Sequence, residues 1–371
     1  MSLRRLLAVD AIGGLAGLSA FDAVIDARSE SEFAEDHLPG AVNWPVLTDA
    51  ERAATGTEYK QASPFDARKR GAALAALNIA RHVQHHVMPL PRTWRPLVYC
   101  WRGGQRSGSL ALVLDQIGFG VQVLEGGYRE FRRAVIAELQ TLPATLQFRV
   151  LLGRTGSAKS RLLRALATEG AQVLDLEALA NHRGSVLGLV PGQPQPSQKA
   201  FETSVWQALR NFDPARVVYA EGESRTIGRL RVPEPLLVHL RASACVQVQM
   251  TVAARVDFLL DDYAHFVNDA EAFCERLQAL RELRGADTVD RWQQQARSGQ
   301  MAVVVEELLA QHYDPVYLKS MQRNFSGFAQ APVVDLKDAS VGSLHAAAQA
   351  LVAGWSVNAG CLLTRQRPTR G

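Results

Sequence analysis

The chain has 371 residues, 47% of them hydrophobic, and a formal net charge of +4. Its length favours two domains, each able to bury a core of its own. No apolar run approaches the ~18 residues of a membrane span, and the N-terminus lacks the apolar segment of a signal peptide, so we expect a cytoplasmic protein without membrane contact. The four cysteines are widely spaced and include no Cys-x-x-Cys pair, which excludes a disulfide framework and a zinc module. They are Cys100, Cys245, Cys274 and Cys361.

The first predicted elements alternate between strands and helices. Strands are predicted at residues 22–27, 96–99 and 121–124, and helices at residues 29–33, 74–80, 107–117 and 129–139. Short strands joined by helices are typical of a parallel sheet. This pattern predicts one α/β domain over residues 10–140.

A second α/β pattern follows a short linker at residues 141–144. Apolar runs predict strands at residues 148–152, 216–220 and 236–240. Helical spacing dominates from about residue 252 to residue 323. We therefore predict a second domain over residues 145–371, with a helical C-terminal part.

A cysteine lies where the second predicted strand ends. Cys100 is followed by the loop WRGGQRS, which leads into a predicted helix. The N–H groups of a helix N-terminus and nearby arginines activate a thiol and can hold an anion over the sulfur. We therefore predict that Cys100 is a nucleophile and that the loop binds an anion bearing sulfur or selenium. The alternative is a small buried residue at a strand end. The loop residues are Trp101, Arg102, Gly103, Gly104, Gln105, Arg106 and Ser107.

The same region carries an excess of positive charge. No Asp or Glu occurs between Ala67 and Leu114. We call the eight basic residues in this range the basic block: Arg68, Lys69, Arg70, Arg81, Arg92, Arg95, Arg102 and Arg106. Such a block favours an anionic partner, and an ordinary solvated basic face is the alternative.

Residues 153–160, GRTGSAKS, lie between a predicted strand and a predicted helix. This is the context of a phosphate-binding loop of the Walker A type, whose N–H groups cradle phosphates while its lysine reaches toward them and its final hydroxyl can hold Mg²⁺. Ala158 replaces the usual glycine, and its methyl would crowd a loop that needs an unusual backbone angle there. Glu221, at the end of a later predicted strand, is either the acidic partner or an ordinary polar strand end. The predicted phosphate- or diphosphate-binding residues are Gly153, Thr155, Gly156, Ser157, Lys159 and Ser160.

No metal site held by the protein is predicted. His82, His85 and His86 share one helix face, but no Asp or Cys nearby completes a set of ligands. Solvated or phosphate-facing histidines are the favoured interpretation.

The loop CWRGGQRS resembles the active-site loop of rhodanese domains, and IDARSESEF, HLPGAVN and LEGGY resemble the neighbouring segments of that fold. Together with the phosphate-binding loop and the stretches LANHRGS, PQPSQKAFE, EGESRTIG and HYDPVY, they make the chain similar to the tRNA 2-selenouridine synthase family from about Asp22 to Asn324. The resemblance implies an α/β fold, in which a rhodanese-like parallel-sheet domain precedes a P-loop NTPase-like domain. Asp26 and Arg28 would form a structural ion pair.

The resemblance also implies a transferase that modifies tRNA. The wobble 2-thiouridine is S-geranylated with geranyl diphosphate, and selenium from selenophosphate then displaces the geranylthio group to give 2-selenouridine. Cys100 would serve the selenium step, and the loop around Lys159 would grip the diphosphate. The implied partners are the anticodon stem-loop of tRNA and the enzyme that supplies selenophosphate. No cofactor is tightly bound, and Mg²⁺ is an optional companion of the diphosphate. Further candidates for the second site are Arg183, Gln198, Glu221, Glu223, Ser224 and Arg225.

Two other functions stay open from the residues alone. One is a rhodanese-type sulfurtransferase fused to a small P-loop kinase. The other is a tRNA-binding adaptor in which Cys100 acts as a redox sensor, although sensing needs no anion-binding loop. The sequence does not define an oligomeric state.

Overall fold

A five-stranded parallel sheet lies in the first half of the chain. The computed structural model describes residues 5–7, 15–183, 192–264 and 269–354. The strands of this sheet are β1 (Arg5–Leu7), β2 (Ala23–Asp26), β3 (Ala41–Asn43), β4 (Pro96–Tyr99) and β5 (Gln122–Leu124). Their order is β1-β5-β4-β2-β3, and every pairing is parallel. Because β4 is central, the residue after it lies in the middle of one sheet edge.

Helices connect these strands, and their ends follow local signals. They are α1 (Leu15–Leu18), α2 (Glu30–Glu35), α3 (Asp49–Gln61), α4 (Pro64–His82, continued by a π-helical turn at Val83–Val87), α5 (Gln105–Ile117) and α6 (Gly127–Thr141). Helix α3 begins with a capping box between Thr48 and Glu51. Helix α5 ends at Gly118, where φ is +110°. Ile25 and Leu110 are fully buried between sheet and helices.

A second parallel sheet follows. The further strands are β6 (Gln147–Leu152), β7 (Gln172–Leu174), β8 (Val217–Glu221), β9 (Thr226–Ile227), β10 (Leu230–Arg231), β11 (Ala244–Gln249) and β12 (Val333–Asp335). The sheet order is β12-β11-β6-β8-β7, while β9 and β10 form a separate antiparallel pair. Ala220 of β8 is paired with Val150 of β6 and Leu174 of β7. The loops that follow these three strands therefore meet at one edge, where ligands of such sheets bind.

Helices make up most of the remaining chain. They are α7 (Lys159–Thr168), α8 (Leu176–Leu179), α9 (Gln198–Arg210), α10 (Glu234–Ala242), α11 (Val252–Asp262), α12 (Ala270–Leu277), α13 (Arg281–Arg284), α14 (Ala286–Arg297), α15 (Met301–Leu308), α16 (Asp314–Asn324) and α17 (Val341–Val352). Short helical turns lie at Leu142–Thr145, Gln278–Leu280 and Leu309–Tyr313. Helices α12, α14 and α15 share a core of their own around Leu277, Trp292 and Val304.

The chain divides into two compact units, and one helix of its second half belongs to the first unit. Unit 1 comprises Met1–Gln140 and Pro196–Arg210, and unit 2 comprises Thr141–Gln195 and Asn211–Gly371. Helix α9 therefore lies in unit 1, although the sequence pattern assigned residues 145–371 to one continuous domain.

Polar contacts bind α9 within unit 1. The Thr203 hydroxyl donates to the buried carboxylate of Asp36 at 3.0 Å, and the Tyr128 hydroxyl donates to the same carboxylate at 2.7 Å. Burial raises the pKa of Asp36. The Trp206 indole donates to Glu138 at 2.7 Å. These partners lie far apart in sequence, so the position of α9 could not be read from its own residues.

The predicted fold class is confirmed, as are most predicted strands and helices. The apolar run at residues 236–240 is an exception, because it lies in helix α10 rather than in a strand. That helix follows Pro233 and carries Glu234 in its first turn, two signals outside the apolar run. Strand β11 was not predicted either, because Gln247 and Gln249 interrupt its apolar residues. None of the described helices combines the length and the apolar character needed to cross a bilayer.

Candidate functional site

The thiol of Cys100 lies at the C-terminal end of β4, directly before the loop that leads into α5. The residue is 3% exposed and packs in the core of unit 1. Ser107, in the first turn of α5, donates a hydrogen bond from its hydroxyl to the sulfur at 3.1 Å. With so little of Cys100 exposed, only a small group can reach its sulfur in this conformation.

The loop after Cys100 closes against a glycine turn of the same unit. Gly103 has φ +67° and Gly127 has φ +60°. A Cβ at Gly127 would lie 2.2 Å from the Cys100 carbonyl oxygen and 2.6 Å from the Gly103 nitrogen. The Tyr128 N–H donates to the same carbonyl at 2.8 Å. The loop is therefore held by backbone contacts, and any side chain at position 127 would disrupt them.

The N–H groups of residues 102–107 donate to no protein acceptor in the described part of the chain. The first hydrogen bond into α5 runs from the Gly108 N–H to the Gly104 carbonyl at 2.9 Å. N–H groups at the start of a helix attract anions. The loop geometry therefore fits the predicted anion site, with the sulfur of Cys100 and the hydroxyl of Ser107 beside it.

Neighbouring carboxylates partly neutralise the predicted positive charge. Arg106 donates to Glu32 at 2.6 Å. Burial acts to raise the pKa of Glu32, but Arg106 and the hydrogen bonds from Ser29 together outweigh burial and the pKa is lowered. Lys69 and Arg70 are also ion-paired, whereas Arg102 is exposed and forms no ion pair among the described residues. The loop thus offers one unpaired arginine instead of the two that we expected.

One other prediction near this loop has a structural outcome, and a neighbouring aromatic residue packs in the same region. Asp26 and Arg28 form the expected buried ion pair, 2.6 Å long. Trp101 is half-buried, and its ring centroid lies 5.4 Å from that of Tyr128. Both features support the sheet edge around Cys100.

Residues 153–160 form the turn between β6 and α7. Gly156 has φ +79° and Ala158 has φ +58°. Ala158 thus takes the left-handed conformation that favours glycine, which costs an alanine about 1–2 kcal/mol. Its methyl group is buried in the core of unit 2. The expected conflict at this position is therefore a strained backbone angle, offset by burial of the methyl group.

Polar side chains of this loop turn inward. The Lys159 ammonium donates to the Gly153 carbonyl at 2.7 Å and keeps two further N–H donors. The Ser160 hydroxyl donates to Glu177 at 3.0 Å. Ser157 is 1% exposed, and its hydroxyl has no partner among the described residues. The loop therefore retains hydrogen-bond donors for the oxygens of a bound phosphate.

Residues that the motif did not identify brace the loop. The buried Arg255 donates from Nε to the Thr155 carbonyl at 2.8 Å and pairs with Asp314 at 2.6 Å. The Gly153 N–H donates to the Tyr317 hydroxyl. Asp314 and Tyr317 belong to the stretch HYDPVY, which carried the family resemblance without an assigned role. Arg255 had no comparable sequence signal.

A cavity of about 870 Å³ lies beside the phosphate-binding loop within unit 2. Its volume is that of a small-molecule site. Three stretches that carry the resemblance, LANHRGS, EGESRTIG and HYDPVY, contribute to its walls; Gly184 and Ser185 of the first lie outside the described residues. Apolar lining comes from Phe258, Leu259, Tyr263, Val316 and Met321. The cavity can therefore accept a ligand with one anionic and one apolar end.

Three glutamates, which we call the glutamate cluster, converge on this cavity. Glu177 follows β7, and Glu221 and Glu223 lie at the end of β8; one carboxylate oxygen of each lies within 4.8 Å of the others. Burial, followed by the charges of the neighbouring glutamates, raises the pKa of Glu177 and Glu221 to about 8 and that of Glu223 to about 7. Glu221 is 1% exposed, and its Oε1 has no hydrogen-bond partner in the described part of the chain. Carboxylate oxygens are preferred ligands of Mg²⁺, so these residues fit a divalent cation.

The structure divides the other residues predicted for the second site. Arg183 and Ser224 line the cavity, together with the glutamates and the loop residues from Thr155 to Ser160. Gln198 does not, because it begins α9 in unit 1. Arg225 is exposed and pairs with Glu234 at 3.1 Å, outside the lining.

The histidines and the other cysteines form no competing site among the described residues. His82 and His86 stack on Trp44, with ring centroids 5.7 and 5.0 Å away. The glutamate cluster is the only group of three or more metal-ligating side chains found in the described ranges. Cys245 and Cys274 are buried, and Cys361 lies outside those ranges.

Known proteins match both halves of this arrangement. The family described as "tRNA 2-selenouridine synthase AAA domain" matches residues 146–331, and the family described as "Rhodanese-like domain" matches residues 14–134. The tRNA 2-selenouridine synthase of Nitrosomonas europaea is 31% identical, over 83% of this chain and 92% of its own. Proteins of the same name from Alcanivorax borkumensis (31%, over 79% and 88%) and Aeromonas salmonicida (32%, over 80% and 86%) agree. The chain therefore belongs to the tRNA 2-selenouridine synthase family.

Proposed function

We propose that this protein converts a wobble 2-thiouridine of tRNA into 2-selenouridine in two transfers, one at each candidate site. In the first, the sulfur of the base attacks the C1 carbon of geranyl diphosphate: a C–S bond forms, the C–O bond breaks, diphosphate leaves and the base loses a proton. In the second, selenium from selenophosphate forms a bond to the base and displaces the geranylthio group, which takes up a proton and leaves as geranylthiol; phosphorus departs as phosphate when water cleaves its bond to selenium. Family membership supports the overall conversion, and the geometry of the two sites supports the division of labour.

The observation that carries the first assignment is the cavity beside the phosphate-binding loop. The N–H groups of this loop and Lys159 suit a diphosphate, while Phe258, Leu259 and Val316 suit an isoprenoid chain. Alkylation of sulfur turns a poor leaving group into a better one, so this transfer precedes the entry of selenium. Mg²⁺ is a natural companion of the diphosphate here, and no other cofactor is required.

The second assignment rests on the loop around Cys100. Its unpaired N–H groups and the exposed Arg102 suit a small dianion such as selenophosphate. The 3% exposure of Cys100 is compatible with a small selenium donor but not with a whole nucleobase at the sulfur. Cys100 thus serves the selenium step, and the enzyme that makes selenophosphate is the expected donor partner.

The substrate is the anticodon stem-loop, and its wobble base must leave the stack before either transfer. Five members of the basic block form no ion pair among the described residues and are available to phosphates: Arg68, Arg81, Arg92, Arg95 and Arg102. Binding should therefore weaken as salt concentration rises. With a tRNA substrate, we expect the protein to act in the cytoplasm.

Nucleoside mass spectrometry of a thiolated anticodon stem-loop, treated with purified full-length variants, tests both assignments. Lys159→Ala should lower geranylation at least ~100-fold, as loss of a key electrostatic group does, whereas the exposed Lys337→Ala should not. Cys100→Ser should accumulate the geranylated nucleoside, whereas Cys245→Ser, at a buried thiol outside both sites, should complete the reaction. Normal geranylation by Lys159→Ala would contradict the first assignment, and loss of both steps in Cys100→Ser would contradict the second.

The same preparations separate the alternative functions. Transfer of sulfur from thiosulfate to cyanide, with ATP hydrolysis and without selenouridine formation, would indicate a sulfurtransferase fused to a kinase. Unchanged wobble modification by Cys100→Ser in cells would favour the adaptor.

A further inference from the structure

Negative charge is concentrated at one point beside the phosphate-binding loop. Three carboxylates meet in the glutamate cluster, with one oxygen of each within 4.8 Å of the others. Lys159 is the cation whose charge acts on all three. When the three carboxylates are ionised, one ammonium group does not compensate them, and an incoming diphosphate would add more negative charge to the same cavity. An additional cation would relieve this repulsion.

Glu221 supplies independent support for such a cation. The residue is 1% exposed and lines the cavity, and its Oε1 has no hydrogen-bond partner among the described residues. A buried carboxylate oxygen without a partner is unfavourable, and coordination of a cation satisfies it. Ser160, which lies 3.0 Å from the Glu177 carboxylate, adds a hydroxyl oxygen to the same group of donors.

The fold brings Glu177 to this position through a local signal. Asp175 follows β7 and accepts a hydrogen bond from the Ala178 N–H at 2.8 Å, which starts the short helix α8. Glu177 is in the first turn of this helix. Because β7 and β8 are neighbours in the sheet, the first turn of α8 lies beside the end of β8, where Glu221 and Glu223 lie.

We propose that the glutamate cluster and the Ser160 hydroxyl form a site for Mg²⁺ or Mn²⁺ that is filled before any diphosphate binds. A usual phosphate-binding loop offers one hydroxyl and one carboxylate, so its cation is bound together with the phosphates. The two additional carboxylates increase the number of oxygen ligands and the negative charge, which set the affinity for hard cations. The ion's role in diphosphate binding rests on the function proposed above, but its binding does not.

Direct titration of Mn²⁺ tests the proposal. Full-length protein is stripped with EDTA, transferred to metal-free buffer and titrated without diphosphate or tRNA, while electron paramagnetic resonance reports free Mn²⁺. We expect one Mn²⁺ per chain, with affinity lowered roughly tenfold or more by Glu177→Gln and by Glu223→Gln, since each removes one charged ligand. Glu275→Gln, at an exposed position of α12, is the matched control and should bind as the parent protein does.

Thermal unfolding shows whether the variants fold. Removal of one of three like charges should leave the Tm of Glu177→Gln in EDTA equal to or above that of the parent protein. Mn²⁺ should raise the Tm of the parent clearly and that of Glu177→Gln little.

Two results would overturn the proposal: binding of Mn²⁺ only after inorganic diphosphate is added, or equal affinity in the parent and Glu177→Gln. Neither result requires turnover. A protein that binds Mn²⁺ alone but does not geranylate RNA would instead contradict the proposed function and support the metal site.

Discussion

One added methyl group at Gly127 tests how the cysteine loop is held. In Gly127→Ala the new Cβ would lie 2.2 Å from the Cys100 carbonyl oxygen and 2.6 Å from the Gly103 nitrogen, both of them backbone atoms. The left-handed backbone angle costs an alanine about 1–2 kcal/mol, and displacement of packed atoms adds about 1–3 kcal/mol. The lower conformational freedom of unfolded alanine returns about 0.4–1 kcal/mol. We therefore expect the free energy of unfolding of unit 1 to fall by about 2–4 kcal/mol.

Gly40→Ala is the matched control. Gly40 has a similar φ of +74°, but a Cβ there would meet nothing within 4 Å, so only the backbone angle matters and the loss should be about 1 kcal/mol. Urea unfolding followed by tryptophan fluorescence reports mainly on unit 1, which contains four of the six tryptophans. Gly127→Ala should also impair selenation more than geranylation. Equal destabilisation by the two substitutions would refute the close approach of the turn to the loop.

Three further predictions concern stability. Ala158→Gly should change the free energy of unfolding of unit 2 by less than about 1 kcal/mol, because relief of the left-handed angle offsets the lost methyl burial. The control is Ala165→Gly, in the interior of α7, which should lower the same free energy by about 2 kcal/mol in the same denaturation assay. Thr203→Val should lower the stability of unit 1 by about 1–3 kcal/mol, since the buried Asp36 loses a donor, and urea unfolding without a shift would contradict this. In EDTA, the pKa values of the glutamate cluster are about 7–8 in the folded protein and about 4.5 in the unfolded chain. The folded state therefore binds more protons between these values, so the Tm of unit 2 should fall as the pH rises from 5 to 8. A flat profile in EDTA would contradict the raised pKa values.

The two loops could be predicted because each is a continuous segment whose chemistry is local. CWRGGQRS and GRTGSAKS contain their own glycines, cations and helix starts, and both lie at the ends of strands as expected. The missing glycine also identified Ala158 as the residue affected if the loop needs an unusual backbone angle there, and its φ is +58°.

Other parts of the sites depend on which segments become neighbours, and no local pattern contains that information. Glu177 joins the cluster because β7 lies beside β8. Arg106 is neutralised by Glu32, 74 positions away in the chain. Arg255 reaches the phosphate-binding loop from α11 by a hydrogen bond to the Thr155 carbonyl, and its partner Asp314 comes from α16. The run at residues 236–240 was misassigned for a related reason, because four apolar residues within a five-residue stretch fit a buried strand and a buried helix equally well.

Helix α9 limits how such a protein can be divided or recombined. It is encoded after the phosphate-binding loop, yet it supplies Thr203 and Trp206 to unit 1. A fragment that ends at Gln140 would lose one of the two hydroxyl donors to Asp36, that of Thr203, and uncover apolar surface. A rhodanese-like module grafted from another gene would likewise arrive without this helix. We therefore expect the segments that encode the two units to stay together in one gene.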